Sequence, residues 1–429
     1  MDTKQAEKKK VVIGYDLTDE YAQISYFFLE QDEPDTLKAY QGEKYNIPVC
    51  LCKKHGINQW YYGQQAVKSE QEGKGTLISG LLSLAVSCDE ITVDDQVIAT
   101  KDLLVLFVKK CLGMLGLLIE GFEVECLMIT LDELTEKSAA LMEQLKGELP
   151  YDEDRILIQT HEESLFYYLV NQKKELWNHD VVVFDFASDY LKSYYFTLNR
   201  KTMPQVALIE KKVYSDFAMP FEERLMIDRK RTFASLDQKF LALLEDFTDG
   251  KLISSVYLIG KGFEGEWYQE SLAFLCRTRR VFGGNNLYSK GACYAAKEKR
   301  DSGQITGEYL FLGDDKLKFN IGVLSLEDGN EVCCSLLDAG ISWYEARCEK
   351  HFLLDEGDTL EFVMTSLYGE KSIRQLKLEG LAKRPPRTTR LCLQLEMQNE
   401  HELHVHVKDE GFGNFFLSSD KEWDGRIEV

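Results

Sequence analysis

The sequence predicts a layered α/β region built from two related halves, followed by a separate β domain. Three observations carry this. Apolar strands alternate with helices from residue 11 to about residue 300; a strand, an acidic turn and a second strand occur twice, at "VVIGYDLTDEYAQISYFFLE" and "VVVFDFASDYLKSYYF"; and beyond Asp301 the chain is nearly all short strands. Strands that alternate with helices demand sheets covered by helical layers, and the recurrence of one unit indicates internal duplication.

Taken in order, residues 11 to 30 read as two strands around the polar turn "DLTDEY". The segment "KYNIPVCLCKKHGINQWYYGQQAVKSEQ" reads as a hairpin turning at His55-Gly56-Ile57-Asn58 and leading into a helix after Gly63. Next come a helix in "ATKDLLVLFVKKCLGMLG", a strand in "VECLMITLD", a helix in "ELTEKSAALMEQLKG" ending on Gly147, a strand in "DRILIQT" and a helix in "EESLFYYLVNQKKEL". The second strand-turn-strand follows, then the helix "SLDQKFLALLEDF" and the strand, glycine turn and helix of "SSVYLIGKGFEGEWYQESLAFLC". "VFGGNNLYSKGACYAAKEKRD" reads as a glycine-marked loop and a small-residue helix from Gly291 to Lys299. In the tail, Leu391, Leu393, Leu395 and Met397 alternate, as do Leu403, Val405 and Val407, so its strands have one buried face and suit a sandwich.

With 429 residues, the chain is long enough for more than one core, and at 44% hydrophobic and 29% charged it reads as globular. The formal charge of -21 argues against a nucleic-acid backbone or an anionic membrane surface as partner. The most apolar stretch, residues 102 to 122, is interrupted by Lys109 and Lys110, which argues against stable membrane insertion. No secretory pattern follows the basic N-terminal tip, and the 11 scattered cysteines suit reduced thiols, so a cytoplasmic location is expected.

Both strand-turn-strand units carry a carboxylate at the end of an apolar run: Asp16 and Asp185. An ionised carboxylate there needs a partner, a metal or water, and two such strand ends suggest a shared cleft.

These landmarks arrive in an order that resembles the actin-like ATPase superfamily, specifically a divergent member of its 70-kilodalton heat-shock chaperone branch. "IGYDLTDEY" resembles the first phosphate loop, "YYGQQAVK" the glycine and lysine after the second hairpin, and "ILIQTHEESLFYYL" the first connecting helix. "VVVFDFASDY" resembles the second phosphate loop, "VYLIGKGFEG" the adenosine-side turn, and "NNLYSKGACYAAK" the second connecting helix. The tail, from "FNIGVLSLEDG" to "LQLEMQNEHELHVHVKDEG", resembles the substrate-binding β-sandwich, and the family's helical lid has no counterpart before Val429. The resemblance implies a two-lobed actin-like ATPase fold over residues 11–300 and a β-sandwich over residues 303–429.

It also implies a site. Asp16 and Asp185 would flank the phosphates of ATP and hold Mg2+ through water, and Lys68 would approach the γ-phosphate; these are the expected catalytic residues. Thr18 and Ser188 would contact phosphate, and Gly260 and Gly262 would admit the adenosine. Several residues depart from the family pattern. Thr18, Asp19 and Glu20 stand where glycine and hydroxyl residues belong, Ala187, Ser188 and Asp189 replace a glycine-rich turn, and the water-orienting glutamate aligns with Thr160. Added carboxylates repel a triphosphate, and Cβ atoms block close backbone approach. The leading expectation is therefore a chaperone-related protein-binding scaffold with an altered or lost nucleotide cleft and no cofactor if that cleft is degenerate; its partner is a protein or extended polypeptide. The alternative is an active ATP-hydrolysing switch.

Other conspicuous residues have plainer readings. Cys50 and Cys52 are ordinary strand thiols, and His55 is a turn residue. His404 and His406 share a strand face with no third metal ligand evident. "KRPPR" joins strands, and the "WYY" run at 60 to 62 serves hairpin packing or partner contact.

Overall fold

The structure, a computed structural model, describes residues 9–31, 33–39, 45–119, 121–187, 189–220, 222–284, 286–300, 304–327, 330–367 and 369–429. The chain divides into two compact units, one ending at Phe311 and one beginning at Leu312.

The first unit opens with β1 (Lys9–Leu17), β2 (Tyr21–Phe28) and β3 (Asp35–Thr36). An excursion follows: β4 (Ile47–Pro48), β5 (Cys50–Lys54), β6 (Trp60–Tyr62), α1 (Gly63–Gln71), β7 (Gly75–Ser79), α2 (Leu81–Ser87), β8 (Glu90–Val93) and β9 (Gln96–Ala99). The chain returns through α3 (Thr100–Leu118), β10 (Phe122–Leu131), α4 (Glu136–Lys146), β11 (Ile156–Thr160) and α5 (His161–Val170). The second half repeats the plan without the excursion: β12 (Asp180–Phe186), β13 (Leu191–Asn199), β14 (Gln205–Tyr214), α6 (Glu222–Thr248), β15 (Ile253–Ile259), α7 (Gln269–Leu275), β16 (Arg280–Gly284) and α8 (Leu287–Arg300). A short α9 (Gln304–Glu308) and β17 (Tyr309–Phe311) end the unit.

Sheet order repeats with the elements. The first sheet runs β11-β10-β1-β2-β3 and the second β16-β15-β12-β13-β14-β17. In each, the central strand is antiparallel to its hairpin partner and parallel to the strand that returns after a helix, as β1 is to β2 and β10, and β12 to β13 and β15. Strands buried on both faces need unbroken apolar runs, which is why "VVVF" and "CLMI" occupy central positions.

Helices α5 and α8 occupy the same place in the two halves, and they approach each other closely. A Cβ on Gly291 would lie 1.9 Å from the Ser164 carbonyl oxygen, and one on Gly14 would lie 2.0 Å from that of Ser289. Glycine is required at both positions because any side chain would force backbones apart. Ala292, Ala295 and Ala296 keep the rest of the α8 face small, so Val12, Met128, Phe166, Val183 and Phe311 join it in one core. On the other face of the second sheet, Phe184, Phe186, Phe240, Leu244 and Trp267 form a separate core under α6 and α7.

Two sequence expectations shift. The glycine-marked loop is strand β16 to Gly284, and α8 begins at Leu287, a turn before Gly291. The expected boundary at 300–303 falls ahead of α9 and β17; β17 pairs with β14 at Gln205↔Tyr309, so the first unit extends to Phe311.

The second unit holds β18 (Phe319–Glu327), β19 (Asn330–Leu337), β20 (Arg347–Leu354), β21 (Thr359–Ser366), β22 (Lys371–Lys377), β23 (Thr389–Met397), β24 (Glu402–Gly411) and β25 (Glu422–Glu428). They form two antiparallel sheets, β19-β18-β21-β22 and β20-β23-β24-β25. The alternating Leu391, Leu393, Leu395, Met397, Leu403, Val405 and Val407 are all buried, with Ile321, Val323 and Phe362 from the other sheet. Within "KRPPR", Arg384 donates two hydrogen bonds of 2.7 Å to the fully buried Asp409, so that tract is stitched into the unit. Among the described residues no helix is long and apolar enough to cross a membrane.

Candidate functional site

Asp16 and Asp185 sit at equivalent places at the ends of the two central strands. Asp16 lies opposite Gln23 on β2 and Thr130 on β10; Asp185 lies opposite Lys192 on β13 and Ile259 on β15. Asp16 has no exposed surface, so its charge needs a partner inside the protein. His161 supplies it: its Nε2 is 2.7 Å from Asp16 Oδ1. The imidazole is fixed because β11 ends at Thr160, whose hydroxyl accepts from the Glu163 backbone N–H and caps α5 directly at His161.

The His161 ring stacks on Tyr288 from the first turn of α8, with centroids 3.8 Å apart and planes 10° from parallel. The Tyr288 hydroxyl donates to Asp185 Oδ2 at 2.8 Å. One continuous path, Asp16–His161–Tyr288–Asp185, therefore joins the two strand ends. Its stack lies one turn upstream of the Ser164–Gly291 contact in each helix, so the close crossing of α5 and α8 holds the rings together.

A charged ring surrounds this path. His161 Nδ1 is 3.7 Å from Asp132 Oδ1, and Asp132 also receives Lys192 at 2.5 Å and Lys211 at 3.2 Å. Lys211 reaches Glu133 at 3.0 Å and Glu162 at 3.6 Å. Burial opposes charge on His161, but Asp16 and then Asp132 outweigh it and raise its pKa above the usual histidine value. Burial likewise opposes ionisation of Asp132, yet the charges of His161, Lys192 and Lys211 hold its carboxyl well below the usual range. Burial raises the pKa of Asp185 against the Tyr288 hydrogen bond. Both ring nitrogens of His161 face carboxylates, at 2.7 and 3.7 Å, and these acceptors favour its protonated form.

Most of the expected site residues are otherwise engaged. The Thr18 hydroxyl donates to the Tyr21 carbonyl at 2.9 Å and accepts from the Tyr21 N–H at 3.1 Å, closing its own turn. Asp19 accepts from the Ser83 backbone N–H at 2.8 Å and from the Ser83 hydroxyl. A Cβ on Gly260 would lie 2.5 Å from Asp185 Oδ1, and one on Gly262 would lie 2.3 Å from the Phe186 ring, so these glycines admit β12 itself. Lys68 is exposed on α1, and among the described residues no ion pair joins it to either aspartate. Ser188 lies outside the described residues.

The resemblance would place a Mg2+-bridged triphosphate between the two carboxylates; the buried stack links them there instead, so the residues present do not fit that group. A cavity of about 310 Å3 remains beside Asp185, lined by Gly260, Tyr268, Gly283, Gly284 and Tyr288 among others. His161, Tyr288, Asp132, Lys192 and Lys211 are absent from the sequence-derived site; Asp132 carries a local signal, ending an apolar strand as Asp16 does, and Lys192 carries another, facing Asp185 across the hairpin.

The family model described as "Family of unknown function (DUF5716) C-terminal" matches residues 33–314, well over half of the chain. The chain belongs to the DUF5716 family. The DUF5716 match contains Asp132, His161, Asp185, Lys192, Lys211 and Tyr288, while Asp16 precedes it. Residues 316–429 match a second model, described as "Domain of unknown function (DUF8552)". No curated protein matches the chain.

Proposed function

We propose that this DUF5716 chain is a chaperone-related protein-binding scaffold on an actin-like fold, with its nucleotide cleft closed by its own side chains. The observation that carries the proposal is the buried Asp16–His161–Tyr288–Asp185 path, which fills the site the family resemblance assigns to phosphate. The repeated sheet order and the matching positions of α5 and α8 support the two-lobed reading. A cytoplasmic setting accords with 11 free cysteines, several of them exposed.

The partner in this reading is an extended polypeptide held by the second unit. Leu324 and Leu326 on β18 and Ile373 on β22 are exposed on their sheet, and β19 is an edge strand with backbone groups available on one side. Backbone pairing at such an edge supplies generic affinity, and neighbouring apolar side chains add selectivity. The test is fluorescence anisotropy of a labelled, permanently unfolded client added to the full chain, with and without Mg2+ and ATP. The scaffold reading expects binding that nucleotide leaves unchanged and that Leu324→Lys weakens. No binding would reject it.

The cavity beside Asp185, with glycines on its wall, favours a second reading in which nucleotide switches client affinity. In that case ATP would change the anisotropy titration severalfold, and Asp185→Asn would remove the change.

A further inference from the structure

On the outer face of the β20-β23-β24-β25 sheet, far in sequence from the strand-end aspartates, three chemically distinct side chains converge. Glu349 and His351 are two residues apart on β20 and share a face; Cys392 is directly opposite His351 on β23. One ligand atom from each lies within 4.8 Å of the other two.

Neighbouring residues aim these atoms. His351 Nδ1 lies 2.9 Å from Glu410 Oε2, and a carboxylate only accepts, so in the neutral ring Nδ1 carries the proton and Nε2 presents the lone pair that a metal needs. That Nε2 is 3.7 Å from Glu349 Oε1. Glu410 is held in turn by Arg390 Nε at 2.9 Å. Gln394 donates to Glu349 Oε2 at 2.8 Å, which leaves Oε1 free toward the cluster. A carboxylate behind the imidazole and an amide behind the carboxylate are the supports that orient metal ligands. The Cys392 side is almost closed, at 8% exposure, and the other two side chains form an accessible mouth.

We propose that Glu349 Oε1, His351 Nε2 and Cys392 Sγ bind one Zn2+ ion, with the fourth position open to water or an incoming ligand. A thiolate, an imidazole and a carboxylate form a mixed set that suits zinc and disfavours Mg2+ or Ca2+, which take oxygen ligands. Binding releases the thiol proton to solvent, and the resulting thiolate and carboxylate offset the charge of the ion. His404 and His406 lie on the same sheet, but both turn to Asp424, at 3.4 and 2.9 Å, and stand outside the site.

The test uses the full chain, reduced and stripped with chelator, titrated with Co2+ as an absorbing probe and then with Zn2+. The expected result is one Co2+ per chain with a thiolate-to-cobalt charge-transfer band that Zn2+ displaces. Cys392→Ser abolishes the band. Glu410→Gln keeps the band but weakens Zn2+ affinity by about 10–100-fold, as loss of a supporting carboxylate does. A variant carrying His404→Gln and His406→Gln behaves as the parent. Absence of the band in the parent, its survival in Cys392→Ser, or its loss in the His404/His406 variant would each overturn the proposal.

Discussion

The imidazole of His161 lies flat on the phenol ring of Tyr288, while Asp16 holds the first ring and Asp185 the hydroxyl of the second. Two side chains from equivalent helices thus tie the two halves of the first unit together where their central strands end. The tie is polar and buried, so removing one member leaves another without its partner.

His161→Ala should destabilise the first unit by about 3–5 kcal/mol, because it leaves the Asp16 carboxylate buried and unpaired. Asp16→Asn combined with His161→Gln should cost less than the sum of the two single changes. Urea denaturation of the four proteins measures the coupling, and additive effects would contradict the pair.

The pH dependence follows from the same pair. His161 has a raised pKa in the folded protein, so its contribution is fully present below the unfolded value of about 6.5 and is lost as pH rises through the folded value. Asp132 acts in the opposite sense: its lowered pKa gives stability above the ordinary carboxylate range that disappears in acid. The melting temperature should therefore fall from neutral pH toward about pH 8, below the free thiol value of about 8.5. His161→Gln should flatten that slope, and an unchanged slope would separate it from the histidine.

Much of the strand framework was legible because apolar runs ending in a carboxylate mark central strands at Asp16 and Asp185. The partners that close the site were not legible for a geometric reason. His161 is 145 residues from Asp16, and Tyr288 is 103 from Asp185, so sheet order within each half makes these contacts and the crossing of α5 and α8 then brings the two rings together. Lys192 was accessible in principle, since it faces Asp185 directly across the hairpin. Thr18 and Asp19 show the converse. Short polar side chains readily bond to nearby backbone, which is how Thr18 closes its own turn, whereas Asp19 anchors Ser83 from 64 residues away.

Gly291→Ala should destabilise by about 1–3 kcal/mol, since the methyl group would displace α8 from Ser164. The stack should loosen with it. The tyrosine ring signal of Tyr288, assigned by comparison with Tyr288→Phe in an NMR spectrum, should lose its upfield shift. Retention of that shift at parental stability would mean that the crossing does not position the rings.

In the second unit, Arg384→Ala should cost about 3–5 kcal/mol by removing the counter-charge of the fully buried Asp409, which keeps hydrogen bonds from Gly411 and Ser419, and Arg384→Lys should rescue only part because an ammonium cannot reproduce the paired hydrogen bonds. Thermal unfolding checks this. Near-parental stability in Arg384→Ala would contradict a structural role for this ion pair.

The most direct measurement is calorimetric titration of ATP with Mg2+ into the intact chain, followed by the same titration of Asp185→Asn. A cleft closed by His161 and Tyr288 predicts no saturable heat from either protein. Saturable binding to the parent that Asp185→Asn abolishes would contradict the closed-cleft account and favour the nucleotide switch.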